Sequence, residues 1–232
     1  MTTKTTGNTR VQSPNLLYQL EDPLRLFPRS LVKLYSLWVS LTYPFASRGR
    51  NLSIHYTCDL LRSRAHRIKL GNSVQFRKDA TLNVVASPEQ NGEPIIVVDD
   101  DTMIGYRCLV SAKNCIHLER DVIMAQSVLI MDHFYAHGDG TPPTCEQDAT
   151  EGGRIRIGQG SWLGQGSAIV CTRGELVLGR NCVVAANAFV TRSFPPHSVI
   201  FGNPARVIKQ FDPAKDTWVL GSLQFTGPGV AK

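Results

Sequence analysis

Of the six histidines in this 232-residue chain, His133 and His137 sit where an aliphatic pattern gives way to a polar stretch, Tyr135 to Gly153. Imidazole changes charge nearest neutral pH, so a histidine at the mouth of a loop is a candidate general base. Asp132 precedes His133 directly. Its carboxylate could orient a ring, contact a substrate, or simply fold the loop as an Asx-type turn. Glu146, Asp148 and Glu151 offer an orienting carboxylate from the returning half of the same stretch. His117, His133 and His137 together supply three imidazoles, and His133-x-x-x-His137 is a ligand-like spacing, so a zinc hydratase is a competing reading. Cys58, Cys115, Cys145 and Cys171 form no close CxxC pair, which leaves thiolate-bound zinc unsupported. No Ser or Cys is placed as a nucleophile. The run Asp99-Asp100-Asp101 reads as a solvated acidic face.

The elements that must position these groups follow an unusual period. An aliphatic or aromatic residue recurs every six positions at Leu70, Phe76 and Leu82, then at Val98, Ile104, Val110, Ile116, Val122 and Val128. The spacing returns at Ile157, Leu163 and Ile169 and, after a three-residue slip, at Leu178, Val184 and Val190. Neither a helix nor an ordinary strand has this repeat. Four residues on, a small side chain is common: Val74, Ala80, Ala86, Thr102, Cys108, Asn114, Ser161, Ser167, Cys182 and Ala188. Glycine often follows the aliphatic directly, as in Ile104-Gly105 and Leu163-Gly164. The pattern predicts an all-β solenoid: a chain that turns a corner every six residues, with short strands as the faces of a triangular coil and the aliphatics stacked inside. Arg120 and Gln126 break the small slot, which predicts distortion there. Three interruptions are expected as loops or a widened coil: Ser87–Pro94, Tyr135–Gly153, and Val170–Glu175.

This pattern resembles the hexapeptide-repeat acyltransferases, and the stretch Ala185 to Lys209, with its Gly202-Asn203-Pro204-Ala205-Arg206, is similar to the final coil and exit segment of their sugar O-acetyltransferase branch, the maltose and colanic-acid type. The resemblance implies a left-handed parallel β-helix over about 66–210, a partly helical extension over 1–65, a tail over 211–232, and a homotrimer with sites between subunits. It implies acetyl-CoA as co-substrate, no required metal, and a sugar or oligosaccharide acceptor in surface polysaccharide or exopolysaccharide biosynthesis. His133, or else His137, is then the general base, with Asp132 beside it and direct transfer in a ternary complex. The family often carries Asp-His-x-His at this point. Here Tyr135 replaces the second histidine and His137 comes two residues late. Carried over position by position, the donor track is Gly164, Gln165, Ala185 and Ala186, then Thr191 and Arg192, with Arg206 and Lys209 meeting the phosphates. A γ-carbonic-anhydrase-like hydratase and a non-catalytic β-helix assembly module are the alternatives on the same scaffold.

Composition narrows the rest. Lys+Arg 25 against Asp+Glu 19 gives +6, with 19% charged residues and no basic stripe interleaved with aromatics, which excludes a disordered polyelectrolyte and argues against nucleic acid as partner. Nothing near Met1 reads as a signal peptide, and a cytoplasmic setting is the expectation. Within 31–45, Leu34, Leu37, Trp38, Leu41 and Phe45 line one helical face. The expectation is a helix packed on protein. The basic residues Arg25, Arg29 and Lys33 upstream keep a peripheral contact at the inner membrane face as the alternative.

Overall fold

The computed structural model describes residues 26–85, 92–136 and 140–220. His137, Ala86 and part of the Ser87–Pro94 segment lie outside the described residues. The chain winds through three parallel sheets, each strand pairing with strands one coil before and after it. Face A stacks Ser47–Arg48 (β1), Ile68–Leu70 (β4), Ile96–Val98 (β7), Cys115–Leu118 (β10), Arg154–Ile157 (β13) and Glu175–Leu178 (β16). Face B stacks Ser53–Ile54 (β2), Gln75–Phe76 (β5), Met103–Ile104 (β8), Ile123–Met124 (β11), Trp162–Leu163 (β14), Val183–Val184 (β17) and Ser198–Phe201 (β19). Face C stacks Asp59–Leu60 (β3), Thr81–Val84 (β6), Leu109–Ala112 (β9), Leu129–Met131 (β12), Ala168–Val170 (β15) and Phe189–Val190 (β18). The repeat predicts this triangular coil, and its left-handed parallel β-helix form is the one that the family resemblance implies.

The core is a set of side-chain columns in strict register. Leu70, Val98, Leu118, Ile157 and Leu178 succeed one another on face A, and Leu82, Val110, Ile130, Ile169 and Val190 on face C. All are buried, and each such side chain contributes about 1.5–3 kcal/mol by leaving water. The register corrects the sequence reading in the middle coil. Val110 and its successor on face A, Leu118, are eight residues apart, not six, so the columns pass through Leu118, Met124 and Ile130. Ile116, Val122 and Val128 are also buried, but they fill the second inward slot, two residues earlier. Arg120 and Gln126 therefore never occupied that slot and distort nothing, and Asn114 lies in the widened corner.

On faces B and C the second slot is small for a reason beyond space. Thr102 Oγ1 donates to the Glu119 carbonyl (3.1 Å), Cys108 Sγ to Ala125 (2.9 Å), Ser161 Oγ to Gly179 (3.2 Å) and Cys182 Sγ to Pro195 (3.3 Å). Each ties its corner to the corner of the next coil, satisfying carbonyls that a turn leaves unpaired. Burial pushes the Cys108 and Cys182 thiols up, in keeping with inert structural roles. The corners also explain the Asp, Asn and Ser that stand three residues after many column positions of faces A and B. Ser73, Asp79, Asp101, Asp121, Asn181 and Asn187 all take φ of 54–59°, the left-handed region such side chains tolerate best.

Both ends are closed. A helix, Leu26–Thr42 (α1), lies against β2, where Val39 joins the core and the Ser36 hydroxyl accepts the Ile54 N–H (2.8 Å). At the other end, Arg206–Asp212 (β20) and Thr217–Leu220 (β21) add antiparallel to β19. The helix packs on the main domain, as expected, but by its other side. It packs through Ser36 and Val39, and the apolar stripe containing Leu34, Leu37, Trp38 and Leu41 faces outward.

Candidate active site

The column positions of faces A, B and C within one coil are always six apart: 70, 76, 82; 98, 104, 110; 118, 124, 130; 157, 163, 169; 178, 184, 190. Every extra residue is inserted between face C of one coil and face A of the next. The segments 85–95, 113–114, 132–153 and 171–174 thus rise along a single edge of the prism. A β-helix cannot lengthen a strand without losing register, but it can let a corner bulge.

His133 and Asp132 stand on this edge, just after β12. The Asp132 carboxylate is fully buried. Oδ1 accepts the Lys113 N–H (2.7 Å), and Oδ2 accepts those of Asn114 (2.8 Å) and Cys115 (3.0 Å). Two of these donors belong to the two-residue bulge that shifts the period and the third opens β10, so the slip at 113–114 is what forms the cradle. Oδ1 also lies 2.9 Å from His133 Nδ1. A carboxylate accepting backbone N–H groups can only accept from the ring, so Nδ1 carries a proton and Nε2 is the nitrogen that holds the lone pair in the neutral ring. The ring is largely buried.

The long insertion folds back over this pair. Phe134 and Thr150 exchange two bonds, Phe134 N–H to Thr150 Oγ1 (3.0 Å) and Thr150 N–H to the Phe134 carbonyl (2.7 Å), and Ala136 N–H donates to Asp148 (2.7 Å). Lys113 Nζ donates to the carbonyls of Ala149 (3.3 Å) and Thr150 (2.5 Å), and Asn114 Nδ2 to that of Glu151 (2.9 Å). Glu151 and Asp148 thus serve through backbone carbonyls, and the carboxylate at the His133 ring is that of Asp132. His133 opens on a cleft of about 390 Å³ walled by Asn83, Ser111, Met131, Phe134 and Tyr135. Asn83 Nδ2 donates to Ser111 Oγ (2.9 Å) on its floor. Lys113, Asn83 and Ser111 escaped the sequence reading. The eight-residue gap from Val110 to Leu118 was the signal for the first.

The remaining candidates fall elsewhere. His137 lies outside the described residues. His117 is on the outer side of face A with Nε2 at 2.8 Å from Asp99. Among the described residues no group of three or more His, Cys, Asp or Glu stands close enough to hold a metal ion. Gly164, Gln165, Ala185 and Ala186 occupy successive B-to-C corners, linked by Gly164 N–H to the Val184 carbonyl (2.7 Å) and Asn187 N–H to Gln165 (2.9 Å). A side chain on Gly164 would run into the Ala186 backbone. Arg206, paired with Phe201, continues that edge one rung higher, and Lys209 sits opposite Val199 on the closing hairpin. Thr191 and Arg192 lie after β18 on the same C-to-A edge as His133, with the Arg192 guanidinium 5.3 Å over the Phe194 ring. Within one chain, therefore, the structure separates the candidates: His133, Thr191 and Arg192 at one end of the face C strands, Gly164, Gln165, Ala185, Ala186 and Arg206 at the other.

No family model matches the sequence. WbbJ of Escherichia coli, named as an O-acetyl transferase of lipopolysaccharide biosynthesis, is 26% identical over 159 residues, covering 65% of this chain and 79% of that protein. An acetyltransferase of Mycobacterium tuberculosis is 26% identical over 161 residues, 69% of this chain; the match spans only 48% of its own length. Among solved structures, AntD, an N-acyltransferase from Bacillus cereus in complex with dTDP and 3-hydroxybutyryl-CoA, superposes with a TM-score of 0.58 at 18% identity, covering 75% of this chain and 86% of AntD. A mutant of it with dTDP-4-amino-4,6-dideoxyglucose and coenzyme A gives 0.60 at 18%, covering 76% and 89%. The fold is that of the hexapeptide-repeat acyltransferases, as the sequence resemblance implies.

Proposed function

We propose that this chain, an acyltransferase by its fold and relatives, moves the acetyl group of acetyl-CoA onto a sugar hydroxyl, with His133 as the general base. The observation that carries the proposal is the His133–Asp132 pair, its carboxylate cradled by three backbone N–H groups and its ring open to a cleft. Asp132 holds Nδ1–H and so keeps Nε2 free to take the proton of an acceptor hydroxyl. The acceptor oxygen forms its new bond to the thioester carbonyl carbon as the carbon–sulfur bond breaks. The imidazolium then returns the proton to the departing thiolate, so ring and enzyme end unchanged. Transfer is direct, in a ternary complex. The likeness to WbbJ supports a polysaccharide or lipopolysaccharide sugar as acceptor, and the sugar nucleotide bound to AntD supports a nucleotide sugar as one form of it.

On this reading the thioester arm runs along the corner track of Gly164, Gln165, Ala185 and Ala186, where Gln165 and Ala186 are the exposed members. Arg206 and Lys209 receive the phosphates, and Thr191 and Arg192 continue the track at the other edge. Because that track and His133 lie at opposite ends of face C, the complete site needs the corner of a second copy beside the histidine edge of the first. A homotrimer satisfies this. The test is release of coenzyme A thiol from acetyl-CoA against nucleotide sugars, simple sugars and oligosaccharides. The expected result is acceptor-dependent release with no acetylated protein on acid quench. Thiol release indifferent to every sugar, or an acetyl group retained on the protein, would overturn the proposal.

A further inference from the structure

Helix α1 turns its greasy side to solvent. Phe27, Leu34 and Leu41 are 71%, 64% and 68% exposed, and Leu31 and Trp38 complete the same stripe. The opposite side is already used, with Val39 in the core and Ser36 bonded to Ile54. An apolar stripe this long on a surface helix normally has an occupant. The helix is 17 residues, about 25 Å, and no described helix is long and apolar enough to cross a membrane.

The second observation is the charge beside the stripe. Lys33 of α1, at the flank of the stripe one turn before Leu37, shares a cleft of about 620 Å³ with Arg77 and Lys78, from the corner after β5. Arg29, seven residues before Ser36, lines the packed side of that cleft, which also touches His55 and Tyr106; no Asp or Glu is among its described lining residues. Burial holds the His55 imidazole below its ordinary value, with the Asp79 carboxylate opposing and Lys78 adding to that shift. Large aliphatics and a Trp bordered by cations are the composition that settles in the boundary between lipid headgroups and acyl chains. Cations at that depth meet lipid phosphates.

We propose that α1 docks this protein on an anionic phospholipid surface, lying flat, with Phe27, Leu31, Leu34, Trp38 and Leu41 among the acyl chains and Lys33, Arg77 and Lys78 on its flank against the headgroups. The proposal does not depend on the catalytic reading. Flotation of the full chain with vesicles tests it, comparing phosphatidylcholine alone with phosphatidylcholine plus phosphatidylglycerol. The protein should float with the mixed vesicles only and be released by added salt. Leu34→Asp with Trp38→Asp should lower partitioning about tenfold or more, and Lys33→Glu with Arg77→Glu about as much. The charge pair carries the test if the first pair fails to fold. No flotation with mixed vesicles, equal flotation with neutral ones, or loss of a higher molar mass in the stripe variant would overturn the proposal; the last outcome makes the stripe a contact between copies.

Discussion

Two kinds of edge run up this prism, and they have been put to different use. The corners leading from face A to B and from B to C hold the six-residue spacing in every coil from Leu70 to Val190. They are tied by the hydroxyls and thiols of the small slot. The corners from face C to A hold the insertions, and with them Asp132, His133 and the antiparallel pairing of Tyr135 with Ala149. Repetition gives the regular edges stability by stacking, each coil supported by the next. The irregular edge is free to vary because the faces around it keep register. Stability and chemistry are thus separated by a strand's length, and substitutions on the two kinds of edge should separate the same two properties.

The largest effect is expected on the irregular edge. His133→Ala should lower turnover by about 10²–10⁴-fold, with acetyl-CoA affinity and thermal midpoint close to those of the parent protein. Single-turnover kinetics and calorimetry measure the two halves of that statement. Retained turnover would remove His133 from the base role. Asp132→Ala should affect both properties, because it strands three backbone N–H groups in a buried place. A loss of about 2–5 kcal/mol in denaturant unfolding is expected, together with a fall in turnover approaching that of His133→Ala. Asp132→Asn keeps the volume but can accept on only one of its two atoms, so it should fall between.

The glycines of the two edges sharpen the contrast. Gly105, on the B-to-C edge, has no room for a methyl group, which would meet the backbone of Ala125 and Met124. Gly105→Ala should cost about 1–3 kcal/mol through forced displacement of a coil. Gly174, on the C-to-A edge, has open space around it but sits at φ +70°. Gly174→Ala should therefore cost only the left-handed strain, about 1–2 kcal/mol. Reversed ranking in denaturant titrations would mean that the regular corners are looser than their packing implies.

Much of this architecture can be read directly from spacing. A column residue every six positions has few physical solutions, so face assignment, corner glycines and the three larger interruptions follow from side-chain size alone. The coil from Ile116 to Ile130 was misphased because both inward slots there are aliphatic. Ile116, Val122 and Val128 fit the period as well as Leu118, Met124 and Ile130 do, and only strand pairing distinguishes them. That ambiguity also hid Lys113 and Asn114, whose role lies in backbone N–H groups and leaves no mark in residue type. Asp132 and His133 were legible because loop histidines are few; the choice of Asp132 over Glu146, Asp148 and Glu151 needed the return path of the chain. The helix was legible as amphipathic, but which side faces protein was not. Ser36 marks the packed side, since its hydroxyl accepts the Ile54 N–H, which would cost about 1–3 kcal/mol if left buried and unpaired.

The smallest effect concerns thiols, one on each kind of edge. Cys58 lies in a B-to-C corner, where burial pushes its thiol up to about 11 and Sγ donates to the Arg77 carbonyl (3.1 Å). Cys145 is exposed in the long insertion of the C-to-A edge. Alkylation proceeds through the thiolate, so iodoacetamide at pH 8 should modify Cys145 first and leave Cys58 untouched, as read by peptide mass spectrometry. A raised value means the folded state favours the protonated thiol. Whatever stability Cys58 contributes is therefore fully present below the ordinary thiol value of 9.0 and is lost as pH rises through about 11. Labelling of Cys58 should begin in that window and not before. If Cys58 reacts at pH 8 as fast as Cys145, the first coil opens to solvent far more readily than its stacking allows, and the division between a rigid edge and a permissive one fails at the end where α1 should hold it.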